Sequence, residues 1–197
     1  MKVIALKNSL LDEMTYFIFN EKKDCLIIDA GSDFEKIQNI LKANSLNVLA
    51  ILLTHGHYDH IASCKRLQGL GYKVYISYLD ADKCLSNQLN MSNSFGLNID
   101  LFKPDYVISK NENELKIGDF TVSVIFTPGH TKGGVSYIVK NHIFVGDTLF
   151  EHGYGRYDFY DGNYKDLMQS LKTLLQYKKQ GFIVHSGHWF IFGLLFN

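Results

Sequence analysis

Three histidines and an aspartate stand within six residues of one another in "THGHYDH", residues 54 to 60 of this 197-residue chain. Such a cluster is hard to account for as packing. Imidazole and carboxylate are the ligand types that borderline divalent metals take. A turn leaving a strand can point His55 and His57 at one ion while Asp59 and His60 face another. Four ligands on one short turn cannot all surround a single tetrahedral ion, so further ligands must come from elsewhere, and strand ends are the place to look. "TPGHTKGG" supplies His130 in a Pro-Gly turn, and "FVGDTLF" supplies Asp147 directly after an apolar run. Either residue alone reads as an ordinary surface or turn position. Beside HxHxDH, both read as ligands. A last histidine pair, His185 and His188, stands in "HSGHWFIFGLLFN", which closes the sequence on an apolar run.

These residues need a scaffold that brings distant strand ends together. Short apolar, β-branched runs alternate with amphipathic segments, the rhythm of a mixed α/β domain. "KVIAL", "TYFIFN" and "CLIIDA" read as strands, the last two joined by the polar turn "NEKKD". "SDFEKIQNILKANS" reads as a helix with Phe34, Ile37, Ile40 and Leu41 on one face and Ser32 with Glu35 as a capping box. "VLAILL", residues 48 to 53, is apolar throughout, as in a strand buried on both faces, and the metal motif follows at its C-terminal mouth. "IASCKRLQGLG" reads as a helix ended by Gly71, "YKVYIS" as a strand, and residues 86 to 104 as a loop with one helical turn. "DFTVSVIFT" alternates as a two-faced strand, and "VSYIVK" and "HIFVGD" form a hairpin near Asn141. "NYKDLMQSLKTLLQYKK" is a helix capped by Asn163, with Tyr164, Leu167, Met168, Leu171, Leu174 and Leu175 on its apolar stripe, and "FIVH" is a final strand.

Composition bounds the partners. Twenty acidic and twenty basic residues cancel, which leaves no polyanion-binding footprint, so neither a nucleic acid nor an anionic membrane is expected. Cys25, Cys64 and Cys84 are odd in number, widely spaced and outside any CxxC pair, and read as reduced thiols. Lys7, Asn8, Asp12 and Glu13 interrupt the N-terminal apolar stretch, so it is not a signal peptide. The run from Trp189 to Phe196 falls well short of the ~20 residues of a spanning helix. The expectation is a single cytoplasmic domain over 1–197 with an atypical tail at 189–197, its oligomeric state open.

"THGHYDH", "TPGHTKGG", "VGDTLF" and "SGHW" together resemble the successive metal motifs of the metallo-β-lactamase superfamily, over about residues 2 to 188. The resemblance implies an α/β fold, a four-layer αββα sandwich with metals at the edge between two sheets. Carried over residue by residue, it implies two divalent ions, zinc first, with iron or manganese as alternatives. His55, His57 and His130 fall to one ion, Asp59, His60 and His188 to the other, and Asp147 bridges both. Asp29 in "IIDAG" matches an aspartate that buttresses the metal loop from behind. His57 stands where flavodiiron-type members carry an acidic residue, which argues against that redox branch.

Two divalent cations, two carboxylates and a bridging hydroxide leave such a site near a charge of about +1, which favours a small anionic substrate. Hydrolysis by a metal-activated hydroxide follows, with Asp59 orienting it. "GDTLF" followed by "GRYDF" and a helix resembles the glyoxalase II-like subgroup, which cleaves hydroxyacyl thioesters of glutathione. A thiolate leaves with a pKa near ~8.5 and needs little acid assistance. The chain has no residues for the C-terminal helical region that helps hold glutathione in that family. Arg156 is a candidate to pair with a substrate carboxylate, though a structural arginine bonding carbonyls or Asp158 is the leading reading. "GRYDF" also resembles the persulfide dioxygenase branch, with one iron; a phosphodiesterase or ribonuclease and a non-catalytic metal-binding scaffold are further alternatives. His142 and His152 match no motif, and His185 reads as a structural histidine. Trp189 replaces the glycine that relatives carry after the last histidine, and the tail reads as a truncated or frame-shifted end that leaves the second metal site loosely held.

Overall fold

Alternation of apolar residues on both faces of the strands gives two sheets back to back with helices outside. The structure, a computed structural model, describes residues 1–189; of the tail expected at 189–197, Trp189 is described and 190–197 lie outside the described residues. β1 (Lys2–Lys7), β2 (Met14–Phe19) and β3 (Asp24–Ile28) run antiparallel. α1 (Phe34–Ala43) then crosses to β4 (Asn47–Leu52), which pairs parallel with β3. α2 (Tyr58–Ile61) and α3 (Cys64–Gln68) lead to β5 (Val74–Ser77), and β6 (Tyr106–Ile108) completes a six-stranded sheet in sequence order.

The second sheet is built from β7 (Glu114–Ile117), β8 (Phe120–Phe126), β9 (Val135–Val139) and β10 (His142–Gly146), successive antiparallel neighbours. The short pair β11 (Leu149–Phe150) and β12 (Gly153–Tyr154) precedes α4 (Tyr164–Lys179), and β13 (Ile183–Ser186) returns parallel to β10 at the sheet's edge. The strand order is therefore β13-β10-β9-β8-β7.

Side-chain alternation decides the layers. In the first sheet Phe17, Ile27 and Ile51 point outward to pack under Phe34, Ile37 and Leu41 of α1. Ile18, Leu26, Ile28 and Leu52 point inward against Val122, Val124, Tyr137 and Phe144 of the second sheet. On that sheet's outer face Ile143 and Val145 meet Leu167, Leu171 and Leu174 of α4. Helix, sheet, sheet and helix follow in order, so the fold is the αββα sandwich. Because helices or the opposing sheet cover both faces, β2, β3 and β4 are apolar on both sides and carry no polar-outward alternation.

Several local expectations change in the tertiary setting. α1 begins at Asp33, not through a Ser32 capping box: the Ser32 hydroxyl accepts the Leu10 amide and donates to Asp33, while Glu35 is drawn off to Arg66. The helix expected over 61–71 is broken, because the Ser63 amide and hydroxyl bond to the Ala30 and Gly31 carbonyls across the fold. The second piece ends at Gln68 with Gly69 as its C-cap, and Gly71, at φ +92, lies in the turn that follows rather than at the helix end the sequence predicts. Asn163 does cap α4, accepting the Asp166 amide at 3.1 Å. The apolar stripe of α4 is narrower than the sequence predicts: Tyr164 and Leu175 are exposed. β6 and β7 are additions, too short or too polar on one face to stand out in the sequence. Among the described residues no helix is long and apolar enough to cross a membrane.

Candidate metal centre

Four strands deliver the reactive residues to one rim. β4 runs into the turn carrying His55 to His60, β8 into that of His130, β10 into Asp147 and β13 into His188. Backbone bonds clamp the rim: the Val135 amide bonds the Thr54 carbonyl across the sheets, and the Gly187 amide bonds the Gly146 carbonyl. A buried carboxylate or imidazole is costly without partners, yet His55, His57, Asp59, His60, His130, Asp147 and His188 are all buried here.

Two of their groupings are separate triads, and a third, His55, His60 and Asp147, spans both. Ligand atoms of His55, His57 and His130 lie within 4.8 Å of one another, as do those of Asp59, His60 and His188. His57 Nδ1 is 2.9 Å from His130 Nε2. His188 Nε2 is 3.3 Å from Asp59 Oδ2 and 3.3 Å from His60 Nε2. Asp147 stands between the triads, 3.2 Å from Nε2 of both His60 and His188 and 3.6 Å from that of His130.

The outer nitrogens are fixed by partners that turn each opposite nitrogen toward the centre. His60 Nδ1 meets Asp29 Oδ2 at 2.9 Å, His130 Nδ1 the Arg156 carbonyl at 2.7 Å, and His188 Nδ1 the Leu11 carbonyl at 2.8 Å. Asp29, in the left-handed region at φ 56, also accepts the Thr54 amide and hydroxyl, both at 2.8 Å, so it ties the start of the metal turn to its end.

The donor set fits a cation. His55 Nε2, His57 Nε2 and Asp147 Oδ1 are buried with no hydrogen-bond partner, an expensive arrangement for a closed hydrogen-bonded cluster. Burial, reinforced by the neighbouring rings, holds His55 and His57 well below the ordinary histidine range, and burial also lowers His130, so these three offer neutral lone pairs. Burial works against a proton on His60 and His188 too, but Asp147 and Asp59 outweigh it and push His188 up to about 11. Asp59 and Asp147 thus demand positive charge at the centre, while the first triad refuses a proton. A divalent ion answers both conditions.

Arg156 makes the structural pairing that the sequence favours. Its guanidinium forms a two-pronged pair with Asp158 at 2.8 and 2.7 Å and lies over the Phe159 ring, 4.6 Å from its centroid, so its charge is already matched. What Arg156 brings to the centre is its backbone carbonyl. Phe159 lies edge-on to His57 and His130, at 5.1 and 5.5 Å between ring centroids. His185 stands outside both triads, stacked on His142 and Phe144. On either side of His188 the Met14 amide bonds the Gly187 carbonyl and the Trp189 amide bonds the Asp12 carbonyl. Cys25, Cys64 and Cys84 are free and buried.

Sequence reasoning passed over Glu13, Asp80 and Lys83. Glu13 is wholly buried, with Oε1 3.9 Å from His60 Nδ1 and its other oxygen bonded to Asn8 and Thr15. Asp80 and Lys83 form a buried pair beside the first triad. Each stands alone in the sequence, with no motif spacing to mark it.

The family model of the metallo-β-lactamase superfamily matches residues 10–188. Hydroxyacylglutathione hydrolase GloC of Haemophilus influenzae is 36% identical over 176 residues, 87% of this chain and 82% of that protein. The probable metallo-hydrolase YqgX of Bacillus subtilis is 36% identical over 177 residues, 88% of this chain and 83% of its own length. Among solved structures, the BLEG-1 B3 metallo-β-lactamase superposes with a TM-score of 0.90 at 34% identity, covering 95% of this chain and 91% of that one. TTHA1623 in a di-iron-bound form superposes with a TM-score of 0.75 at 30% identity, covering 94% and 91%.

Proposed function

This chain belongs to the metallo-β-lactamase superfamily, and from that premise we propose that it is a metal-dependent thioesterase acting on small anionic hydroxyacyl thioesters of the glutathione type. The observation that carries the reading is the position of Asp147 between two buried triads. In this reading His55, His57 and His130 would hold one divalent ion and Asp59, His60 and His188 the second, with Asp147 available to either. Zinc is the first candidate; the di-iron form of one structural relative keeps iron open. The 36% identity to a hydroxyacylglutathione hydrolase supports the substrate class.

Divalent ions held at such a centre supply a water of pKa about 7 and Lewis acidity toward a carbonyl oxygen. The residues supply the rest. Asp59 accepts a hydrogen bond from the attacking water and so aims its lone pair at the thioester carbon. Asp29, the Arg156 carbonyl and the Leu11 carbonyl hold the imidazoles of His60, His130 and His188 still, so little reorganisation is left for the reacting state. Phe159 walls the first triad and limits water on that side. A thiolate leaving group of pKa ~8.5 departs without a dedicated acid.

The test is metal analysis of the purified protein coupled to a panel of hydroxyacyl thioesters of glutathione and of other thiols, run under argon. Two equivalents of metal with turnover of at least one thioester are expected. A single iron, with turnover that requires oxygen, would overturn the proposal.

A further inference from the structure

Asp80 lies just past the end of β5, fully buried. Its carboxylate is saturated by four donors from three segments. Oδ2 accepts the Gly56 amide and the Thr131 hydroxyl, both at 2.9 Å. Oδ1 accepts the Gly133 amide at 3.0 Å and Lys83 Nζ at 2.8 Å. Gly56 lies between His55 and His57, and Thr131 follows His130, so one side chain grips the backbone of both turns that carry the first triad. The packing leaves no slack: a Cβ at Gly56 would stand 2.6 Å from Lys83 Cβ, and one at Gly133 would stand 2.6 Å from the Asp80 nitrogen. Lys83 is itself buried and reaches on to Asp161 Oδ2 at 2.5 Å, in the loop that carries Phe159. Of the second triad, His60 bonds Asp29 directly, and the same carboxylate holds Thr54, whose hydroxyl lies 3.1 Å from His55 Nδ1.

We propose that Asp80 is the positioning residue of the first triad: it sets the spacing of His55, His57 and His130 and thereby the affinity of that site for its ion, independently of the second. The assignment of two metal sites rests on the function proposed above. Both carboxylates hold the turn from Thr54 to His60, Asp29 at Thr54 and His60 and Asp80 at Gly56, but of the two Asp80 is the one that also grips the His130 turn, through Thr131 and Gly133. Removing an outer partner of this kind typically costs 10–100-fold in metal affinity.

The experiment measures zinc affinity by chelator competition, without substrate, in two backgrounds. His188→Ala takes a ligand from the second triad and leaves the first to report; His130→Ala does the reverse. Asp80→Asn, which keeps the shape and surrenders the charge, is expected to weaken zinc about tenfold or more in the His188→Ala background and less than about twofold in the His130→Ala background. Thr131→Val removes one donor and keeps the carboxylate, and is expected to show the same selectivity at about threefold; it stands in if Asp80→Asn does not fold. Equal losses in both backgrounds, or none in either, would overturn the inference. If the unmutated protein binds no zinc at all, it is the functional reading that fails.

Discussion

Asp29 and His60 meet at 2.9 Å, Oδ2 to Nδ1, across the gap between the end of β3 and the short helix α2, with both residues buried. The same carboxylate accepts the Thr54 amide and hydroxyl, so it demands two acceptor oxygens. Asp29→Asn keeps the volume but turns one acceptor into a donor. Metal affinity of the second triad is expected to fall about 10–100-fold, read by chelator competition in the His130→Ala background. Affinity within twofold of the parent would show that the turn holds His60 without it.

Asp59 lies 3.3 Å from His188 Nε2 and is placed to do two things, hold charge at the centre and orient the nucleophile. Asp59→Asn is expected to cost at least about 100-fold in kcat while most of the metal is retained, the scale of a lost proton acceptor. Metal content and turnover measured on the same preparation separate the roles. A parallel loss of both would reduce Asp59 to a ligand.

Gly187 is the hinge by which β13 presents His188. A Cβ there would press on Asp147 Oδ1 and come within 2.8 Å of His60 Cε1 and 2.9 Å of the Gly146 carbonyl carbon. Gly187→Ala should therefore displace Asp147 or His60 and lower turnover about 100-fold, since misplacement of about 1 Å at a reacting centre costs that much. Near-normal kinetics would mean that β13 can slide away from β10.

The His142 and His185 pair gives a pH signature away from the centre. Burial first, then the neighbouring His142, lowers His185 from 6.5 to about 4, and the two rings share a 2.8 Å hydrogen bond. The unfolded chain takes up the proton below about pH 6.5 and the folded one only near 4, so stability falls as pH drops through that window. Partial exposure limits the loss to about 2 kcal/mol. His185→Phe keeps the stack on Phe144 and should flatten that part of the stability profile in denaturant titrations from pH 7 to 4. An unchanged slope would mean that the ring is protonated in the folded state.

The residue types of the centre and the layers of the fold are legible in the sequence because both rest on local pattern. HxHxDH packs four donors into one turn, and the continuous apolar run before it marks a strand covered on both faces. Asn163 before an amphipathic run marks the start of α4, and the structure keeps it because nothing else competes for that side chain. Ser32 fails by the same logic, since Leu10 and Asp33 take its hydroxyl.

What the tertiary structure alone decides are relationships between residues far apart in the chain. Asp147 stands between two triads only because β10 lies beside β13 in the second sheet, with β4 opposite in the first. Arg156 pairs with Asp158 two residues away and lies over the Phe159 ring, an arrangement that depends on how the loop turns. Asp80 carries no local signal because three of its four donors come from other segments, and Glu13 and Lys83, though partnered by Asn8, Thr15 and Asp80 nearby in the chain, form no motif spacing. Sequence spacing encodes which atoms can bind a metal; folding, by burying them where water cannot compensate a mismatch, fixes which of them face it and what holds them there.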